Sequence, residues 1–164
     1  MCAVAALVLP RTLHAESLAL GAEAPKPPSI DHEGKPVDWA ALHGVGYTLV
    51  YFYPKADTPG CTKQACSLRD AFAALTAGGV TVVGASGDTA EAQQAFRQKH
   101  KLPFLLVADT EGKLADAFHV SRKGTFPSRQ AFLFKGGRLV WLDTTAATDQ
   151  QAEEVLAAIK QLSP

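Results

Sequence analysis

Two cysteines, Cys61 and Cys66, stand close together with a threonine, a glycine and two prolines before them, and they are the residues of this chain whose types and spacing suit redox chemistry. They lie in Tyr51-Phe52-Tyr53-Pro54-Lys55-Ala56-Asp57-Thr58-Pro59-Gly60-Cys61-Thr62-Lys63-Gln64-Ala65-Cys66. The apolar run ahead of Pro54 predicts a strand, the Pro/Gly pair a turn, and the residues from about Cys61 a helix. A thiol at a helix N-terminus meets unpaired backbone N–H groups and the positive end of the macrodipole, so its anion is favoured. The thiolate is the nucleophilic form, which makes Cys61 the candidate nucleophile. On an ideal helix Cys66 is about 140° further round and roughly 8–9 Å away between Cα atoms. A disulfide wants less than ~7 Å, so bonding the two requires the first turns of the helix to unwind.

The flanking elements follow from periodicity. Tyr47–Tyr53 is a continuous β-branched and aromatic run, the pattern of a strand buried on both faces. Ala65, Leu68, Phe72 and Leu75 recur at helical spacing up to Gly78-Gly79, predicting one long helix after Cys61. Val80–Gly84 predicts the next strand. Asp88-Thr89-Ala90-Glu91 predicts a capping box with Asp88 as N-cap, opening a helix that buries Ala92, Ala95 and Phe96 and ends near Lys101. A strand over Leu102–Ala108, a short helix over Lys113–Phe118 and a hairpin of Ala131–Phe134 with Arg138–Leu142 across Gly136-Gly137 come next. Thr148-x-x-Gln151 then reads as the cap of a closing helix with Ala152, Val155, Leu156 and Ile159 on one stripe. Upstream, Pro25, Pro27 and Pro28 predict an extended entry, and Asp31–Pro36 a turn. Alternating strands and helices, then a hairpin and a last helix, define an α/β fold with a central mixed sheet and helices on both faces.

The segment Pro54-x-x-x-Thr58-x-x-Cys61, after an aromatic strand and before a second cysteine, resembles the peroxiredoxin active site, and most closely its peroxiredoxin Q (bacterioferritin comigratory protein) subgroup. The resemblance runs from about Val37 to the C-terminus. It implies a thioredoxin-like fold and a thiol peroxidase acting on hydrogen peroxide or organic hydroperoxides. Cys61 is then the peroxidatic thiol and Cys66 the resolving one, in an atypical two-cysteine cycle recycled by thioredoxin or a similar dithiol. Thr58 can donate to the thiolate or accept from bound peroxide, Gly60 lets backbone approach the ligand, and Pro54 shields the thiolate from water. The resemblance also assigns the fixed cation to Arg129, in Phe126-Pro127-Ser128-Arg129-Gln130, which the sequence by itself does not bring near Cys61. The position three after the nucleophile, usually glutamate, is Gln64 here. That keeps hydrogen bonding but removes a charge.

A chain of 164 residues fits one domain with a core of its own, and 16 basic against 16 acidic residues give no basic excess for nucleic acid. Three cysteines are too few for a disulfide scaffold. The five histidines show no metal-ligand spacing with one another or with the cysteines, so neither a metal nor a cofactor is expected. Residues 1–20 read as a leader and 21–164 as the single domain. The apolar run Ala3–Leu9 before Leu13-His14-Ala15 fits two readings, an export signal for the periplasm or the leader of a cytoplasmic protein; it is far below the ~20 apolar residues of a membrane span. No long unpaired apolar stripe stands out, so a monomer is expected. Two rival readings keep the same thiols: a general thiol–disulfide oxidoreductase, whose Cys-x-x-Cys spacing the chain lacks, and a redox-gated binding or chaperone module.

Overall fold

The computed structural model describes residues 17–44 and 46–162. The leader run and Cys2 lie outside the described residues. Six strands form one mixed sheet in the order β1 (Ile30–Asp31), β4 (Leu105–Ala108), β3 (Val80–Ser86), β2 (Tyr47–Phe52), β7 (Gln130–Lys135), β8 (Arg138–Asp143). Strands β2, β3 and β4 run parallel, and β1, β7 and β8 are antiparallel to their neighbours. A separate ribbon pairs β5 (Arg122–Lys123) with β6 (Phe126–Pro127). The entry segment is extended, and its Gly21 and Ala24 N–H groups donate to Leu139 and Gly137 beside β8. Leu18, upstream of it, packs against the core.

Strand β2 is buried along its whole length, and its period of two sends alternate side chains to opposite cores. Leu49, Tyr51 and Tyr53 meet α2 (Pro59–Asp70), α3 (Phe72–Ala77), α4 (Ala90–Lys99) and α6 (Gln151–Leu162) through Ala65, Leu68, Leu75, Phe96, Ala152 and Val155. Val50 and Phe52 meet α1 (Trp39–Gly44) and α5 (Lys113–Ala117) through Trp39, Leu114 and Ala115. Pro54 then stops the strand, and the chain turns into the loop that carries Thr58 to Cys61.

Several elements differ from the sequence expectation. The helix after Cys61 is two helices, broken at Ala71, although Leu68 and Leu75 stay buried on either side of the break. Strand β4 starts at Leu105 rather than Leu102, because Pro103 has no N–H for the ladder and restricts the residue before it; Leu102 and Phe104 are still buried. The N-cap of α4 is Thr89, whose hydroxyl accepts from the Ala92 N–H, while the Asp88 carboxylate accepts from Ser86 Oγ at 2.6 Å and from the Ala56 N–H at 2.7 Å. Nor does α4 bury Ala92 and Ala95, which are exposed. It turns Gln93 inward, where the amide donates to Ser86 Oγ at 2.8 Å and to the Val107 carbonyl at 3.0 Å, and accepts from the Tyr53 hydroxyl. An apolar stripe could not reveal a glutamine saturated by hydrogen bonds.

One buried group gives the fold a pH dependence. His43, in the last turn of α1, is 3% exposed, lies between the rings of Trp39 and Phe134, and neither ring nitrogen has a hydrogen-bond partner. Burial, aided by Lys26, pushes its pKa down to about 4. The folded state therefore holds the ring neutral while the unfolded chain takes up a proton near pH 6.5, so stability falls as pH drops from about 6.5 towards 4. We expect a loss on the order of 2 kcal/mol between pH 7 and 4.5, read as a falling melting temperature. His43→Leu should flatten that part of the curve; equal slopes in both proteins would show that His43 does not cause it.

Candidate active site

The first turn of α2 places Pro59, Gly60 and Cys61 where backbone N–H groups have no intrahelical acceptor. Pro59 has no N–H to leave unpaired, and the first helical bond from this turn is Thr62 N–H to the Thr58 carbonyl at 2.8 Å. Cys61 is 2% exposed and packed in the core cluster under α2 and α6, whereas Cys66 on the same helix is half-buried. Both thiols are free. The intact helix between them keeps the geometry of the sequence reading, in which they cannot bond without unwinding.

Arg129, just before β7, reaches back to this turn. Pairing of β7 with β2 sets Gln130 opposite Phe52, which brings the residue before Gln130 to the end of β2 where the cysteine loop begins. Its Nη2 donates to Cys61 Sγ at 3.4 Å and its Nη1 donates to Gln64 Oε1. One guanidinium thus spans a thiol and an amide on the same helix face, as its planar fork allows. A methyl group on Gly60 would stand 3.2 Å from Arg129 Nη2, a tight contact that the guanidinium could relieve only by shifting a few tenths of an ångström from its place. Gly60 therefore serves the approach of Arg129. The same methyl group would stand 3.6 Å from Thr148 Cγ2, so Thr148 flanks this wall. It does not directly cap α6, which begins at Gln151.

Thr58 and Pro54 take up more peripheral positions. The Thr58 hydroxyl donates to the Lys55 carbonyl at 2.9 Å and caps no N–H of α2, so within this geometry the oxygen is left to accept. Pro54 is half-buried and lines a shallow cavity with Ser121, Arg122, Phe126, Pro127 and Ser128. Phe126 is 47% exposed there, with Lys55 Nζ 5.9 Å above its ring. Trp141 packs against the core cluster under α2.

Sequence reasoning missed the side chains that hold the loop and the cation. Asp57 has a left-handed backbone, φ 58°, and its carboxylate accepts from Lys99 at 2.6 Å and pairs with His100 Nε2 at 2.8 Å. His100 and then Lys99 hold its pKa below the usual carboxylate range. With the Asp88 bond to Ala56, this ties the cysteine loop to the ends of α4. The only signal in the sequence was the residue type, since Asp is one of the few side chains that tolerate a left-handed backbone. On the other side Gln64, fully buried, donates through Nε2 to Gln151 Oε1 at 2.8 Å. Below the site, burial holds both Tyr51 and Tyr53 phenols well above their usual range, so neither adds a negative charge that would oppose a thiolate. Among the described residues no group of three or more His, Cys, Asp or Glu could hold a metal ion, and no helix is long and apolar enough to cross a membrane.

A buried thiol at a helix N-terminus, contacted by an arginine from the central sheet, is the arrangement of a thioredoxin-like thiol enzyme, and comparison with known proteins gives it a family. Residues 20–141 match the AhpC/TSA family. The chain is 37% identical over 136 residues to chloroplastic peroxiredoxin Q of Sedum lineare, covering 80% of this chain and 73% of that protein. It is 35% identical over 155 residues to peroxiredoxin Bcp of Bacillus subtilis, covering 90% of this chain and 98% of that protein. The fold superposes on the bacterioferritin comigratory protein of Xanthomonas campestris with a TM-score of 0.76 at 27% identity, over 82% of this chain and 90% of that one. The chain belongs to the AhpC/TSA family and is a thiol-dependent peroxidase of the peroxiredoxin Q/Bcp type.

Proposed function

We propose that Cys61 is the peroxidatic thiol and Cys66 the thiol that resolves it. The observation that carries this reading is the Arg129 Nη2 contact at 3.4 Å to the buried Cys61 Sγ, at the N-terminus of α2. A guanidinium and the helix dipole both favour the thiolate. The thiolate attacks one peroxide oxygen, the O–O bond breaks, and the departing oxygen leaves as water or an alcohol after taking a proton. Arg129 and the free N–H groups of Gly60 and Cys61 stabilise the charge growing on that oxygen, and the Thr58 oxygen accepts the hydrogen of the bound hydroperoxide.

Cys61 is then a sulfenic acid, oxidised by two electrons. The first turns of α2 unwind, the Cys66 sulfur attacks Cys61, water departs and a disulfide forms. A dithiol, thioredoxin or one of similar chemistry, restores both thiols by exchange and is itself oxidised. The substrates are hydrogen peroxide and organic hydroperoxides; the Xanthomonas relative is described by its alkyl peroxide reduction activity, and the partly exposed Phe126 beside Pro54 suits an organic substituent. Since the resolving thiol sits on the same helix, the cycle needs no second subunit, and we assign a monomer.

The test is peroxide consumption with a thioredoxin system, wild type beside Cys66→Ser. The variant should consume about one equivalent quickly and then stop cycling, with Cys61 left as the sulfenic acid. Continued cycling at the wild-type rate would show that another thiol resolves the intermediate.

A further inference from the structure

Gln151 is the first residue of α6, is fully buried, and has no place in the cycle described above. It ends a chain of contacts that begins at the thiol: Cys61 Sγ, Arg129, Gln64, Gln151. The polarity of that chain is dictated from one end. A guanidinium has only donors, so Arg129 can face only the carbonyl oxygen of Gln64. The Gln64 NH2 must then point the other way, into a region closed to water, and needs an acceptor there. Gln151 supplies its Oε1, and its own Nε2 is left buried with no hydrogen-bond partner. Turning the Gln151 amide over would set NH2 against NH2. A buried donor without a partner costs stability, so Gln151 satisfies the Gln64 NH2 only by leaving its own unpaired.

We propose that Gln151 is a positioning residue for the peroxidase reaction: by accepting from the Gln64 NH2 it braces that amide at the end away from Arg129, and so holds the Arg129 guanidinium on Cys61. The inference rests on the reading of Cys61 as the peroxidatic thiol. A second effect follows from where Gln64 stands. It lies between the two cysteines on α2, so the Gln64–Gln151 bond must part before Cys61 and Cys66 can meet. The bond therefore favours the reactive, helical state over the resolving one.

The test uses full-length Gln151→Met and Gln151→Glu proteins, reduced and mixed rapidly with hydrogen peroxide from pH 5 to 9, with melting temperatures taken alongside. Methionine keeps the length of the side chain and removes the acceptor, so the Gln64 NH2 loses its partner and the amide is no longer braced against Arg129. We expect peroxide to react about three- to tenfold more slowly at pH 7, the loss of part of one charge-assisted contact, with the pH midpoint of the rate moved alkaline. The Cys61–Cys66 disulfide should then form faster, and the melting temperature should fall only modestly, because the unpaired Gln151 Nε2 is exchanged for an unpaired Gln64 Nε2 and one hydrogen bond is lost. Glutamate keeps an acceptor oxygen and should return the rate to within about twofold of wild type. A Gln151→Met protein with the wild-type rate and pH midpoint would overturn the proposal. So would a glutamate variant as slow as the methionine one, or a methionine variant that fails to fold, because the argument requires the apolar residue to be tolerated. Wild-type protein reacting no faster than free cysteine would instead sink the peroxidatic reading of Cys61.

Discussion

Cys61→Ser should abolish peroxide consumption, leaving less than about a thousandth of the wild-type rate at neutral pH. The reason is chemical and local. A serine hydroxyl at the start of α2 would meet the same N–H groups and the same guanidinium, yet it does not ionise near neutrality, and a neutral hydroxyl does not attack an O–O bond at a useful rate. Cys66 cannot substitute, because it lies past the first turn of α2, away from the Arg129 guanidinium, which contacts Cys61 and Gln64. Serine is close to cysteine in size, so the fold and melting temperature should hardly change. Turnover by the serine variant above a tenth of wild type would assign the nucleophile elsewhere and reopen the disulfide-gated binding reading.

Arg129→Met is expected to slow the reaction with peroxide about 100-fold, mainly in the rate constant for the reduced enzyme. Methionine preserves the unbranched stem but removes both donors. Cys61 then loses the cation at 3.4 Å, and Gln64 loses the group that sets its orientation. The departing oxygen also loses a donor at the moment it becomes charged, which is where such contacts have their largest effect. Arg129→Lys separates the two contributions. An ammonium can favour the thiolate as a point charge but cannot span thiol and amide as the fork does, so it should recover only part of the loss. Measuring both variants by single-turnover peroxide reduction decides the matter, and a methionine variant within a few-fold of wild type would reduce Arg129 to a structural ion.

Much of the sheet and of the nucleophile's setting was legible in the residues. The unbroken apolar run of β2 ending at Pro54, the glycine pair of the β7–β8 hairpin and the Pro-Gly-Cys helix start are local signals, and local backbone preferences are what sequence periodicity reports. The start of β4 turned on one backbone group, the missing N–H of Pro103, while the break at Ala71 has no local signal in the sequence. Arg129 was placed by resemblance alone, because its approach to Cys61 depends on the antiparallel register of β7 on β2, a contact between distant parts of the chain. The buried glutamines were invisible for a different reason. Gln64, Gln93 and Gln151 are polar residues at positions where a hydrophobic pattern predicts nothing, and only their hydrogen-bond partners explain their burial. Asp88 shows the same limit from the other side: its spacing suits a capping box, but the cysteine loop offers its carboxylate a different N–H.

The order of the chain gives the assembled site a timing. Arg129 follows Cys61 by 68 positions, and Gln151 follows Gln64 by 87. At a synthesis rate of about 5–20 residues per second, the thiol exists for roughly 3–14 s before its arginine is made, and Gln64 for roughly 4–17 s before Gln151. A nascent chain therefore carries Cys61 without Arg129 over 68 of its 164 positions. On the proposed roles of Cys61 and Arg129, the site is assembled only once β7 and α6 have been made and packed against α2.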